Sequence, residues 1–318
     1  MRFARVMALI GLMVAARGAV GAAYVPVNGP REVVSLLETW QDEKRGREVP
    51  VLICYPKDLG VNGEKTPVIV FSHGLGGSRE TYRTYGEVWG RAGYVVIFPQ
   101  HHGSDTAVIG HGMIEMMAGK GDLQPFLERV GDVHFVIDQV ARMNEGKMEG
   151  KEYGVFAGHL DLGRIGMSGH SFGAITTQAI VGQRYGPAEG MGLADSRVKA
   201  GIVMSGSGSK ELDQDKAFES VKVPMFYLTG TEDKLGMIGG GTRRSPFDHS
   251  KGGDAYLLNL TGGNHMTFAP FGRAAGDASR QKFQPLIQEL TTAFWDAYLR
   301  GDAKAKGWFE EEAVKEVG

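Results

Sequence analysis

Ser171 lies in Gly169-His170-Ser171-Phe172-Gly173, directly after the apolar run 164–167 and directly ahead of a helix-compatible stretch at 174–183. A serine hydroxyl is a poor nucleophile at neutral pH until a base takes its proton. A histidine held by a carboxylate is the fitting base. Both residue types follow in the chain. The apolar run 225–229 ends in Gly230-Thr231-Glu232-Asp233, and the run 256–260 ends in Thr261-Gly262-Gly263-Asn264-His265. Serine, acid and histidine in that order are the parts of an acyl-transfer machine with a covalent intermediate. Sequence order alone does not separate Asp233 from Glu232 as the acid.

The pentapeptide by itself is a weak signal in a chain with 48 glycines. Its setting gives it weight, because strand, sharp turn and helix follow one another at once. Such a turn holds its serine in a strained backbone conformation at the strand's C-terminal end. Strand and helix then pass so closely that the positions two before and two after tolerate almost no side chain. Gly169 and Gly173 fill those positions. The tetrahedral intermediate also needs two backbone donors. The amide of Phe172, next to the nucleophile, supplies one. The loop Ser72-His73-Gly74-Leu75-Gly76-Gly77 supplies the other, with Leu75 the first choice and Gly74 the second. His73 is read as a structural loop residue rather than a base.

These residues need a scaffold that delivers them to one side. Strands are predicted at 48–55, 68–72, 94–99, 164–167, 199–204, 225–229 and 256–260, with helices at 80–91, 123–143, 174–181 and 283–299. The stretch 33–40 reads as a strand paired with 48–55 or as a helix. The alternation predicts an α/β fold with a mostly parallel central sheet and helices on both faces. One domain over 24–318 is expected, with loop insertions near 103–130 and 235–254. Loops at the C-terminal ends of parallel strands are candidate substrate walls. Met113, Met116 and Met117 of the first insertion fit core packing and a binding role equally well.

Residues 1–23 read as a signal peptide: Arg2 and Arg5, then apolar 6–16, then the small residues of 17–23. That apolar run is too short to span a bilayer, so no stable membrane span is expected. Its removal takes away Arg2, Arg5 and Arg17 and moves the formal charge from −2 to about −5. A mildly acidic, unpatterned surface carries no electrostatic footprint for nucleic acid. The single cysteine, Cys54, lies in an apolar strand and makes no internal disulfide. His101, His102 and Asp105 have the residue types of a metal site, but neighbours on an extended chain point apart. No metal is expected there, and one of the two histidines is expected to border the mouth of the site. His111, His134, His159 and His249 carry no assignment.

The elbow, the 72–77 loop, Asp233 and His265 together resemble the α/β-hydrolase superfamily. Within it the chain is similar to the dienelactone-hydrolase-like branch, with the platelet-activating-factor acetylhydrolases and cutinase-like polyester hydrolases. The resemblance runs from Val49 to about Tyr298 and includes Val49-Pro50-Val51, Gly93-Tyr94-Val95-Val96 and Gly263-Asn264-His265. It implies a Gly-x-x-Asp loop for the acid, which favours Asp233. In the acetylhydrolases the acid follows the preceding strand, where this chain has Met204-Ser205-Gly206 and no carboxylate. Serine replaces the cysteine nucleophile of a dienelactone hydrolase proper. A lone cysteine also excludes the C-terminal disulfide found in many cutinase-like enzymes.

The expectation is therefore an exported, secreted or periplasmic serine carboxylic-ester hydrolase. It would act through Ser171, His265 and Asp233 on short to medium acyl esters, without a cofactor. A serine peptidase or amidase using the same residues, or a catalytically silent binding protein on the same fold, are the alternatives. Oligomeric state is not readable from the sequence.

Overall fold

The computed structural model describes residues 5–9, 24–26, 29–108, 123–185, 193–208, 213–234, 243–269 and 278–312. Met113, Met116, Met117, His111 and half of the 103–130 insertion lie outside them, as do 235–242 of the second insertion and most of the expected signal peptide.

The strands are β1 (Arg5–Leu9), β2 (Val33–Asp42), β3 (Arg47–Pro56), β4 (Thr66–Ser72), β5 (Val95–Pro99), β6 (Leu160–His170), β7 (Val198–Met204), β8 (Met225–Glu232) and β9 (Ala255–Asn264). They form one sheet in the order β1-β9-β8-β7-β6-β4-β5-β3-β2. The hairpin β2–β3 and the β3–β5 pair are antiparallel, and every other pairing is parallel. The chain has the α/β-hydrolase fold. The stretch 33–40 is a strand: Val33 to Asp42 pair residue for residue with Pro56 to Arg47. Alternate exposed and half-buried positions along it fit one face against helices and one toward water. β1 falls within the expected leader, so cleavage there would leave eight strands with β9 at the edge.

The longer helices are α1 (Arg83–Arg91), α2 (Gln124–Asn144), α3 (Phe172–Ile180) and α4 (Ala278–Tyr298). The central strands are buried on both faces, which is why they read as unbroken apolar runs. In β4, Val68 and Val70 join the core under α2 and α3, while Ile69 and Phe71 join the core under α1 and α4. The helix stripes match. Phe126, Val130, Val133, Ile137 and Val140 of α2 recur at helical spacing and are buried.

α4 docks where β6 has no side chain. Trp295 is fully buried, lies edge-on to Trp89 at 5.7 Å, and covers Gly166. A Cβ on Gly166 would stand 2.8 Å from the Trp295 ring and 2.9 Å from Leu299. Gly166→Val is expected to lower unfolding free energy by about 1–3 kcal/mol through overpacking, read as a lower urea midpoint with an unchanged m-value.

Candidate active site

β6 ends at His170, and Ser171 turns the chain into α3 with φ 57° and ψ −115°. Among the described residues only one other non-glycine residue, Ser205 at the end of β7, has positive φ (53°). Backbone held so far from its ordinary wells costs about 1–3 kcal/mol per residue and collects at functional sites. The flanking glycines make the turn possible. A Cβ on Gly169 would lie 2.2 Å from the Gly173 oxygen, and one on Gly173 would lie 1.9 Å from the Ser72 oxygen.

The structure brings Ser171, His265 and Asp233 together. Ser171 Oγ lies 2.9 Å from His265 Nε2, and His265 Nδ1 lies 3.1 Å from Asp233 Oδ1. β8 and β9 run further than expected, through Glu232 and Asn264, and the segments read as loops are their ends. The physical reason is close backbone passage. A Cβ on Gly230 would meet the Gly263 oxygen at 2.1 Å, so the glycines serve pairing between strand ends rather than loop freedom. Asn264 then caps the turn that presents His265, accepting from the amides of Met266 and Thr267. Glu232, the alternative acid, is half exposed and pairs with Lys234 at 2.7 Å.

Asp233 has further partners. Its Oδ2 accepts from Ser205 Oγ at 2.5 Å and from Thr229 Oγ1 at 3.1 Å, and Arg243 Nε lies 3.2 Å from Oδ1. Burial alone would raise its pKa. Hydrogen bonds from His265 and Ser205, with the Arg243 guanidinium, outweigh that and hold it at about 2. Ser205, in the stretch Met204-Ser205-Gly206 that holds no carboxylate of its own, thus donates to a carboxylate at the end of the next strand. Sequence reading missed Ser205 and Arg243.

Of the two expected amide donors, one follows the serine at the start of α3 and the other is on the 72–77 loop, whose first residues pack against Gly173. Phe172 opens α3, so its amide has no intrahelical acceptor. In the 72–77 loop the amide of Gly76 goes to Ser104 O and that of Gly77 to Gly74 O. The Tyr82 hydroxyl interacts with the Gly74 backbone, so Leu75 remains the first choice of the two amides. Among the described residues nothing engages the Leu75 amide. The Tyr82 hydroxyl donates in turn to His170 Nδ1 (2.7 Å), and His170 Nε2 donates to the His265 carbonyl (2.9 Å). Burial pushes the His170 pKa well down, so this ring is neutral and fixes the backbone of His265.

Beneath the 72–77 loop lies a second serine–histidine–aspartate chain. Ser72 Oγ is 2.9 Å from His101 Nε2, and His101 Nδ1 is 3.0 Å from Asp132 Oδ2. All three are sealed from solvent. His101 is therefore enclosed under the loop rather than set at the mouth, while its neighbour His102 faces out, 3.1 Å from Asp105. His73 is structural: its Nδ1 donates to Gly74 O at 2.7 Å and its Nε2 accepts from the His101 amide at 3.0 Å. Among the described residues no group of three or more His, Cys, Asp or Glu could hold a metal ion. No helix among them is long and apolar enough to cross a membrane. Cys54 is buried, and burial raises its pKa to about 11.

Residues 53–118 match the family model of platelet-activating factor acetylhydrolase, isoform II. That family is part of the α/β-hydrolase superfamily, whose fold this chain shares. The matched segment holds the 72–77 loop, and it places the chain beside hydrolases of the esterase kind. Ser171, Asp233 and His265 lie beyond it. No curated protein matches the chain.

The carboxyl of Asp233 is depressed below its ordinary 3.8, so its pairing contributes stability above that pH and loses it as pH falls through about 2. Asp233→Asn is expected to lower kcat/KM for an ester substrate by about 10³–10⁴-fold, as when a triad acid is neutralised. Glu232→Gln is expected to stay within threefold of wild type. Steady-state kinetics of the two variants side by side assign the acid.

Proposed function

We propose that the protein is an exported serine carboxylic-ester hydrolase. Ser171 Oγ attacks the acyl carbon while His265 Nε2 takes its proton. Asp233 fixes the ring so that Nδ1 carries the hydrogen, and it stabilises the imidazolium that forms. The amides of Leu75 and Phe172 receive the developing oxyanion. His265 returns the proton to the leaving alcohol. It next draws a proton from water, which attacks the acyl-enzyme and releases the acid. No step calls for a cofactor.

The observation that carries this reading is the chain Ser171–His265–Asp233, with contacts of 2.9 and 3.1 Å, hung on a strained turn. Export rests on the basic, apolar and small-residue succession of residues 1–23. For the substrate we propose short to medium acyl groups in an apolar pocket. Met113, Met116 and Met117 of the insertion near 103–130 motivate it. The matched family is named for an acetylhydrolase, which accords with a short acyl group.

Hydrolysis of p-nitrophenyl esters from acetate to palmitate, beside Ser171→Ala, tests the reading. The expected result is turnover that peaks at short or medium chains and falls by at least about 10³-fold in the variant. Activity within a few-fold of wild type in Ser171→Ala would sink it, and a rate maximum on charged or sugar-linked esters would sink the acyl preference.

A further inference from the structure

Arg129 is a cation in an unusual place. It lies on the buried face of α2 and is wholly enclosed, yet among the described residues no carboxylate is within ion-pairing distance of it. Asp132, one helical step away, is instead held by Arg45 and Arg47 at 2.8 and 3.1 Å. Burial draws the Arg129 pKa down to about 9, which leaves it charged at neutral pH. Asp132 and Asp105 attract it only through space, and an enclosed charge with no carboxylate in contact needs compensating dipoles.

The compensation comes from the loop beside the nucleophile. Arg129 Nη1 donates to His73 O at 2.7 Å and to Ser72 Oγ at 3.2 Å, and Nε donates to Ser104 Oγ at 2.7 Å. Nη2 reaches Gly74 O and Ser104 O, each at 3.5 Å. The guanidinium also lies over the Phe172 ring, 4.3 Å from its centroid. In a trans peptide the carbonyl and the next amide point opposite ways. Gly74 O, held by Arg129, the His73 ring and the Gly77 amide, therefore turns the Leu75 N–H away from the guanidinium. One side chain thus touches both halves of the expected oxyanion site, the 72–77 loop and Phe172.

We propose that Arg129 is the positioning residue of the oxyanion site: it aims the Leu75 and Phe172 amides and places a fixed positive charge behind the place where the oxyanion forms. This rests on the serine-hydrolase reading above. The sealed Ser72–His101–Asp132 chain is part of the same device. It orients Ser72 Oγ so that its lone pair faces Arg129 and its proton goes to His101. An oxyanion exists only after attack, so the charge acts on the tetrahedral species and leaves substrate binding little changed.

The test compares Arg129→Met and Arg129→Lys with wild type and with Ser171→Ala. It reads kcat and KM on the best p-nitrophenyl ester. It also reads the affinity of an alkyl boronic acid, which forms a tetrahedral adduct on serine, by titration calorimetry. Arg129→Met is expected to lose about 10²–10³-fold in kcat, with KM within threefold and boronate affinity falling in step. Lysine, which keeps the charge but not the fork, is expected to recover part of both. If the Arg129 variants do not fold, Phe172→Leu and Ser104→Ala loosen the same guanidinium, and each is expected to lower kcat and boronate affinity by about threefold to tenfold.

A folded Arg129→Met with kcat within threefold of wild type overturns the proposal. So does a loss of kcat with boronate affinity unchanged, or unchanged kcat in both loosening variants. Boronate binding needs no turnover, so the two readings fail separately. A wild type that binds boronate at Ser171 but hydrolyses no ester contradicts only the esterase reading, and one that binds no boronate overturns both.

Discussion

Three backbones meet at the end of β4 with no room for a side chain between them. The Ser72 carbonyl, the last turn of β6 and the first turn of α3 are so close that a methyl group on Gly173 would sit 1.9 Å from the Ser72 oxygen. The rest of the site depends on that contact. It forces Ser171 to turn with positive φ and lift its hydroxyl clear of the sheet. It leaves the Phe172 amide at a helix start with no acceptor of its own. It also sets the 72–77 loop against α3, so that a single buried arginine can reach the carbonyls of one and the ring of the other.

A second close passage completes the arrangement. Gly230 and Gly263 let the ends of β8 and β9 run side by side, and the residues just beyond them are Asp233 and His265. The imidazole is held from three directions. Asp233 accepts from its ring, His170 donates to its backbone carbonyl, and Asn264 caps the turn in which it sits. The acid is anchored just as firmly, with Ser205, Thr229 and Arg243 around it. Groups fixed in this way need little reorganisation when charge develops, which is how a polar, partly enclosed site lowers a barrier.

Much of this was legible in the sequence because it rests on local rules. Glycines two before and two after Ser171, an apolar run before it and a helix after it fix the elbow without long-range information. The parallel strands announced themselves as apolar runs because both faces are covered. What stayed hidden depends on neighbours far apart in the chain. Ser205 and Arg243 matter only once β7, β8 and the segment after 242 are packed together. Whether Leu75 or Gly74 offers its amide turns on Tyr82, which lies in the turn before α1. Which of His101 and His102 turns inward was not legible, because a histidine at a strand end fits the rim of a site as readily as the floor beneath it. One signal was available and unused: Arg129 and Asp132 interrupt the apolar stripe of α2. Charged residues on a buried helix face are seldom without a task.

The central claim is that Ser171 is a nucleophile activated by His265. A fluorophosphonate probe reacts with a serine only when it is so activated, and peptide mapping by mass spectrometry locates the label. The account predicts one adduct per chain, on Ser171, formed rapidly in wild type and lost in Ser171→Ala and His265→Ala. A folded wild-type protein that takes no label, or takes it equally well without His265, would contradict it.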